Sequence, residues 1–98
     1  MTITKEFNGT GLKIALEGRL DTITAPELDA ELHQDLGKAE SLTLDFSKLE
    51  YVSSAGLRVL LSAHKAMSSK GGMKVTNVNE IVREVFEVTG FADVLTIE

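Results

Sequence analysis

An α/β fold with a mostly parallel β-sheet is predicted by three features of the chain. Apolar residues alternate with others at Leu12, Ile14 and Leu16, and again at Leu42, Leu44 and Phe46, which is the period of half-buried strands. Stretches of helical spacing separate these runs, with Leu28, Leu32 and Leu36 in one, and Leu57, Leu60, Leu61 and His64 in another. Strands that alternate with helices pair in parallel through right-handed crossovers. The predicted order is β-β-α-β-α-β-α-β, one domain over residues 1–98.

Each element has its own local reason. Ile3 and Phe7 mark a short first strand, and "NGTG" from Asn8 to Gly11 is a tight turn. The second strand therefore returns antiparallel to the first. Thr24 and Glu27 have capping-box spacing, Pro26 suits a first helical turn, and Gly37 is the expected stop. "SLTLDF" is the third strand. "YVSSAGLRVLL", Tyr51 to Leu61, opens a long second helix that "KGG" at Lys70 ends. Met73, Val75 and Val78 give a fourth strand. Asn79 caps a third helix carrying Val82, Val85 and Phe86, which Gly90 stops. "FADVLTIE" supplies a turn and a last strand. Leu44, Leu57 and Leu60 are expected in the core.

Composition removes several functional classes. The net charge is −5, and the ten Lys and Arg residues are scattered singly, which argues against nucleic acid. No apolar run reaches the length of a membrane span, so no membrane insertion is expected. The start, "MTITKEFNGTG", lacks the basic and apolar regions of a signal peptide. The chain has no cysteine, which excludes thiolate metal sites and fits a reducing cytoplasm.

Catalytic machinery is not visible. "GTGLK" lies between two strands and reads as a hairpin, not a phosphate loop. His33 and His64 fall on different helices without ligand spacing, and His64 reads as a half-buried stripe residue. No G-x-S-x-G elbow occurs. Glu27, Glu31 and Asp35 look like a solvated helix face. No enzyme activity and no cofactor are expected.

Asp21 and Asp45 stand out because they follow or end strands. In a parallel sheet the strand ends and helix starts share one edge, where such folds bind ligands. Ser53 and Ser54 belong to the same edge. A plainer account makes Asp21 with Thr22 a loop turn, and Asp45 with Ser47 an Asx-type turn. Gly56 also has two readings. A small surface admits a partner to Ser54, and a bulky residue then weakens binding with an unchanged melting temperature. Alternatively, Gly56 packs against a neighbouring backbone.

Three segments together resemble the bacterial anti-sigma-factor antagonists, single-domain STAS proteins. "EGRLDTITAPEL", Glu17 to Leu28, is similar to the family's G-x-L-D-x-x-T-A-P-x-L segment. "LTLDFSKLEYVSSAGLRVL", Leu42 to Leu60, resembles its signature around a regulatory serine. "GGMKVTNVNEIVREVFEVTGFADVL", Gly71 to Leu95, resembles its C-terminal third. The resemblance implies a STAS-like fold with three to four helices and a protein that binds an anti-sigma factor, often a serine kinase, to release the sigma factor. It further implies that phosphorylation ends the binding and that a PP2C-like phosphatase restores it. Laid on the family motif Asp-Ser-[Ser/Thr]-Gly-Leu, the modified position is Ser54. Asp21, Thr22, Ser53, Ala55, Gly56 and Arg58 then border the partner surface. Ser53 stands where the family has aspartate, and Ala55 where it has a second hydroxyl. That departure leaves open an unphosphorylated STAS scaffold, a small-ligand module or a lipid-transport subunit.

Overall fold

A computed structural model describes residues 1–98. Strands β1 (Thr2–Asn8) and β2 (Gly11–Leu20) form the opening hairpin, followed by α1 (Ala25–Asp35), β3 (Ser41–Val52), α2 (Ser54–Met67), β4 (Met73–Thr76), α3 (Glu80–Thr89) and β5 (Thr96–Ile97). Short 3₁₀ turns occupy Leu36–Lys38 and Phe91–Asp93. The sheet order is β1-β2-β3-β4-β5, antiparallel only between β1 and β2. The mixed α/β fold, with a mostly parallel sheet, an antiparallel opening hairpin and three helices, is therefore as the chain predicts.

Every crossover steps to the next strand in the same direction. Right-handed connections then put all three helices on one face of the sheet. Burial agrees: Leu12, Ile14, Leu16, Leu42, Leu44 and Phe46 are buried, while Lys13, Glu17, Lys74 and Thr96 on the opposite face are exposed. Leu57 and Leu60 join the same contiguous apolar cluster from α2.

Several local expectations change. β3 runs on to Val52, well past Phe46, because Leu49 and Val52 continue its buried side. Thr24 and Glu27 form no capping box; the Thr24 hydroxyl has other partners, described below. Gly37 is not a left-handed stop, since α1 tightens into the turn Leu36–Lys38. Leu61 is only half-buried, and Ala63 and Met67 complete the α2 stripe instead. Val78 lies beyond β4. Gly90 does end α3 in the left-handed region, at φ 82°.

The acidic face of α1 is also not simply solvated. Asp35 is buried, and Lys5 of β1 reaches it at 2.7 Å while also pairing with Glu31. Lys5 pairs with Ile14 in the ladder and so points toward the helices. The hydrogen bond to Asp35, then that to Glu31, holds the Lys5 ammonium above its ordinary pKa. A buried carboxylate that loses its only cation is strongly destabilising, whereas replacing both partners by apolar groups is often neutral. Lys5→Met is thus expected to lower the urea midpoint clearly, and Lys5→Met with Asp35→Leu to recover most of the loss. Equal midpoints for Lys5→Met and wild type would show that the pair contributes nothing.

Candidate functional site

The ends of β2 and β3 bring the candidate residues together. Leu20 pairs with Val52 in register, and the Ser53 N–H donates to the Leu20 carbonyl at 2.8 Å. Asp21 therefore begins a loop directly beside Ser53, and α2 starts one residue later. Asp21, Thr22, Ser53, Ser54, Ala55 and Arg58 share this edge. Asp45 does not. It pairs with Ala15 and Thr76 on the open face of the sheet, and β3 continues for seven residues beyond it. At ~3.3 Å per residue, the six steps from Ala15 to Asp21 separate the two carboxylates by roughly 20 Å. Asp45 stops short of that edge because β3 runs on to Val52, beyond the end at Phe46 that its alternation predicts.

Both aspartates form the turns that the plainer account foresees. Asp21 Oδ1 accepts from the backbone N–H of Ile23 at 3.0 Å and of Thr24 at 3.1 Å. The Thr24 hydroxyl accepts from the Asp21 N–H at 2.8 Å and donates to the Arg19 carbonyl at 2.7 Å. The Thr24 N–H bond is the main cause that holds the Asp21 carboxyl below the ordinary carboxylate range, with Arg19 contributing least. Asp45 is held low first by Asn77, whose side chain donates at 3.0 Å, and then by the Ser47 N–H.

At the helix start the two serines have different surroundings. Ser53 has the extended backbone of an N-cap, and its Oγ accepts from the Gly56 N–H at 3.3 Å. Ser54 is the first helical residue, exposed, with its hydroxyl outside that cap. Arg58, one turn on, is exposed, and Ala55 is half-buried. Gly56 is buried. A Cβ there would meet Leu20 Cγ at 2.7 Å and the Leu20 carbonyl oxygen at 3.0 Å. Packing therefore requires this glycine, and a side chain there cannot leave the melting temperature unchanged. The unchanged melting temperature expected for a bulky residue at Gly56 therefore does not hold.

Two features escaped the sequence. Arg19 stacks on the Tyr51 ring, its guanidinium carbon 4.7 Å from the centroid, and lies 3.9 Å from Asp21. Ile23 is 84% exposed within the hydrogen-bonded loop. The Arg19–Tyr51 pairing depends on register shifts between Ala15 and Glu17 and between Gly18 and Arg19, which no periodicity reveals. No three His, Asp or Glu side chains gather in a metal-binding arrangement. A surface hollow of about 410 Å³, lined by Ser41, His64, Lys74 and Thr96 among others, lies at the opposite edge, where β3 and β4 begin. No helix is long and apolar enough to cross a membrane.

Two measurements test this geometry. Gly56→Ala gains up to ~1 kcal/mol of helix propensity but overpacks against a buried leucine, which typically costs about 1–3 kcal/mol. A lower melting temperature is expected, and a higher one would refute the close approach. For Asp21 the folded-state pKa lies below the unfolded value, near ~3.9. The contribution of its carboxylate is thus complete above about pH 4 and lost as pH falls through the folded pKa. NMR titration should place its midpoint below that of an ordinary aspartate, and a midpoint above ~3.9 would contradict the turn.

A family profile described as "Mlab, STAS domain" matches residues 3–96. BtrV of Bordetella bronchiseptica, described provisionally as an anti-sigma factor antagonist, is 38% identical over 90 residues, covering 89% of this chain and 78% of its own. The anti-sigma-B factor antagonist of Bacillus subtilis is 26% identical over 91 residues, covering 92% and 84%. Among solved structures, an anti-sigma factor antagonist from Mycobacterium paratuberculosis superposes with a TM-score of 0.89 at 22% identity, over 98% of this chain and 83% of the other. The antagonist SpoIIAA in its unphosphorylated form gives 0.84 at 19% identity, over 99% and 88%. The Bacillus cell fate determinant SpoIIAA is also solved in a phosphorylated form, with a TM-score of 0.77 at 19% identity over 99% and 91%. With a profile match that spans nearly the whole chain on this sheet order, the protein belongs to the STAS domain family.

Proposed function

We propose that this chain is an anti-sigma-factor antagonist. Its unmodified form binds an anti-sigma factor through the edge bearing Asp21, Thr22, Ser53, Ser54, Ala55 and Arg58, with Gly56 supporting that edge from beneath. The binding frees a sigma factor in the cytoplasm. A serine kinase, often the anti-sigma factor itself, ends the binding by phosphorylating Ser54, and a PP2C-like phosphatase reverses this. The observation that carries the reading is the exposed Ser54 hydroxyl at the first position of α2, beside a Ser53 engaged as the cap. The names of the relatives support the antagonist role, and the phosphorylated form of SpoIIAA supports a covalent switch on this fold.

Magnitudes indicate how such a switch acts. A phosphate carries about −1.5 to −2 charges. At a helix N-terminus an anion gains about 0.3–1 kcal/mol, so α2 is not melted. The same charge buried against a partner without a counterion costs several kcal/mol. The second effect is larger, so the switch works by charge and bulk at the interface with the fold retained.

Incubation with the cognate kinase and ATP is expected to give one phosphate, on Ser54. Ser54→Ala should abolish labelling and keep binding. Ser54→Asp should weaken binding, though less than phosphate does, since it carries fewer charges and acceptor oxygens. Ser53→Ala should retain labelling and cost about 0.5–1 kcal/mol, the lower part of the range for a lost cap. Mass spectrometry placing the phosphate on Ser53 would overturn the register. The second reading, an unphosphorylated STAS scaffold, ligand module or lipid-transport subunit, takes its support from Ser53 standing in place of the usual aspartate. Absence of phosphate with every host kinase would favour it.

A further inference from the structure

We infer that Ile23 is the apolar anchor of this edge, inserting into an apolar pocket on the anti-sigma factor whose rim carries acidic groups facing Arg19 and Arg58. The inference rests on the partner reading above and adds to it a residue and a recognition chemistry.

Exposed hydrophobic residues are ordinary when scattered singly. Five large ones are exposed here: Phe7, Ile23, Ile81, Val88 and Val94. Ile23 differs in three ways. It is the most exposed of them, and it lies three residues from Leu20, whose carbonyl is hydrogen-bonded to Ser53 beside the phosphate acceptor. It is also rigidly presented. The loop Asp21–Thr24 spans two buried residues, Leu20 and Ala25, and the Ala25 N–H closes it by donating to the Asp21 carbonyl at 2.8 Å. The Ile23 N–H itself donates to Asp21 Oδ1. A β-branched side chain on a pinned loop loses little freedom on binding, so more of its burial appears as affinity. Val88, at 79% exposure, is in the last turn of α3, away from this edge, and has no such setting.

The rim chemistry follows from the charges carried by this edge. The whole chain is acidic, with net charge −5, yet this edge carries two exposed arginines. Asp21 Oδ1 accepts from its own loop, and its Oδ2 lies 3.9 Å from Arg19, so this carboxylate is turned to its own chain. Arg19 is held over Tyr51, which fixes a cation beside the loop. A partner with carboxylates around an apolar pocket is complementary to that arrangement.

The test is calorimetric binding of purified wild-type chain and variants to the cognate anti-sigma factor at low and moderate salt. Ile23→Ser is expected to weaken binding roughly 10- to 100-fold, the equivalent of burying one such side chain, with no change in melting temperature. Ile23→Leu should restore most of the affinity. Val88→Ser should bind as wild type. Arg19→Ala should weaken binding mainly at low salt and flatten the salt dependence. Wild-type affinity in Ile23→Ser overturns the inference while leaving the partner reading intact. Failure of the wild-type chain itself to bind overturns both.

Discussion

The approach of α2 to the end of β2 is the contact on which the rest of the arrangement depends. The Leu20 carbonyl accepts the Ser53 N–H, and the Leu20 side chain fills the space that a Cβ on residue 56 would need. That single contact fixes where α2 begins, and hence where Ser54 emerges. It also ties the Asp21 loop to the helix start, because Asp21 follows Leu20 directly. A packing requirement in the core thereby sets the geometry of a surface. The small residues at the helix entry are explained by what lies beneath them as much as by what approaches from outside.

Handedness supplies the second constraint. Parallel strands added one after another in the same direction place α1, α2 and α3 on one face and all their N-termini along one edge. Loops at that edge carry chemistry without disturbing the core, since their backbone groups are satisfied locally by Asp21, Thr24, Ser53 and Asn79. The cap of α3 follows the same logic: Asn79 accepts from Val82 and also donates to the Leu49 carbonyl, locking the third loop to β3.

Much of this was legible in the sequence, for definite reasons. Alternation in β2 and β3, the asparagine cap of α3 and the glycine after it are local signals, and each stands where the sequence puts it. What failed was non-local. The true length of β3 depends on Leu49 and Val52 finding the core after a stretch, Ser47 and Lys48, that is polar. The position of Asp45, in mid-strand and not at the edge, follows from that length. The burial of Asp35 depends on a lysine thirty residues earlier in another element. Arg19 meets Tyr51 only after two register irregularities. For the site, capping rules alone allow either serine as the cap, and the register of the family motif is what points to Ser54 as the free one, whereas the exposure of Ile23 required the hydrogen bonds of its loop.

The inward-facing Lys5 has a consequence beyond the strength of one ion pair. β1 is an edge strand of seven residues, and long edge strands are templates on which other chains add and aggregate. A second strand docking on β1 must accommodate a charge directed toward the helical layer and already committed to Asp35. The other edge is blunted differently, since β5 is two residues long and offers almost no ladder. Neither margin of the sheet is a flat, apolar surface for growth.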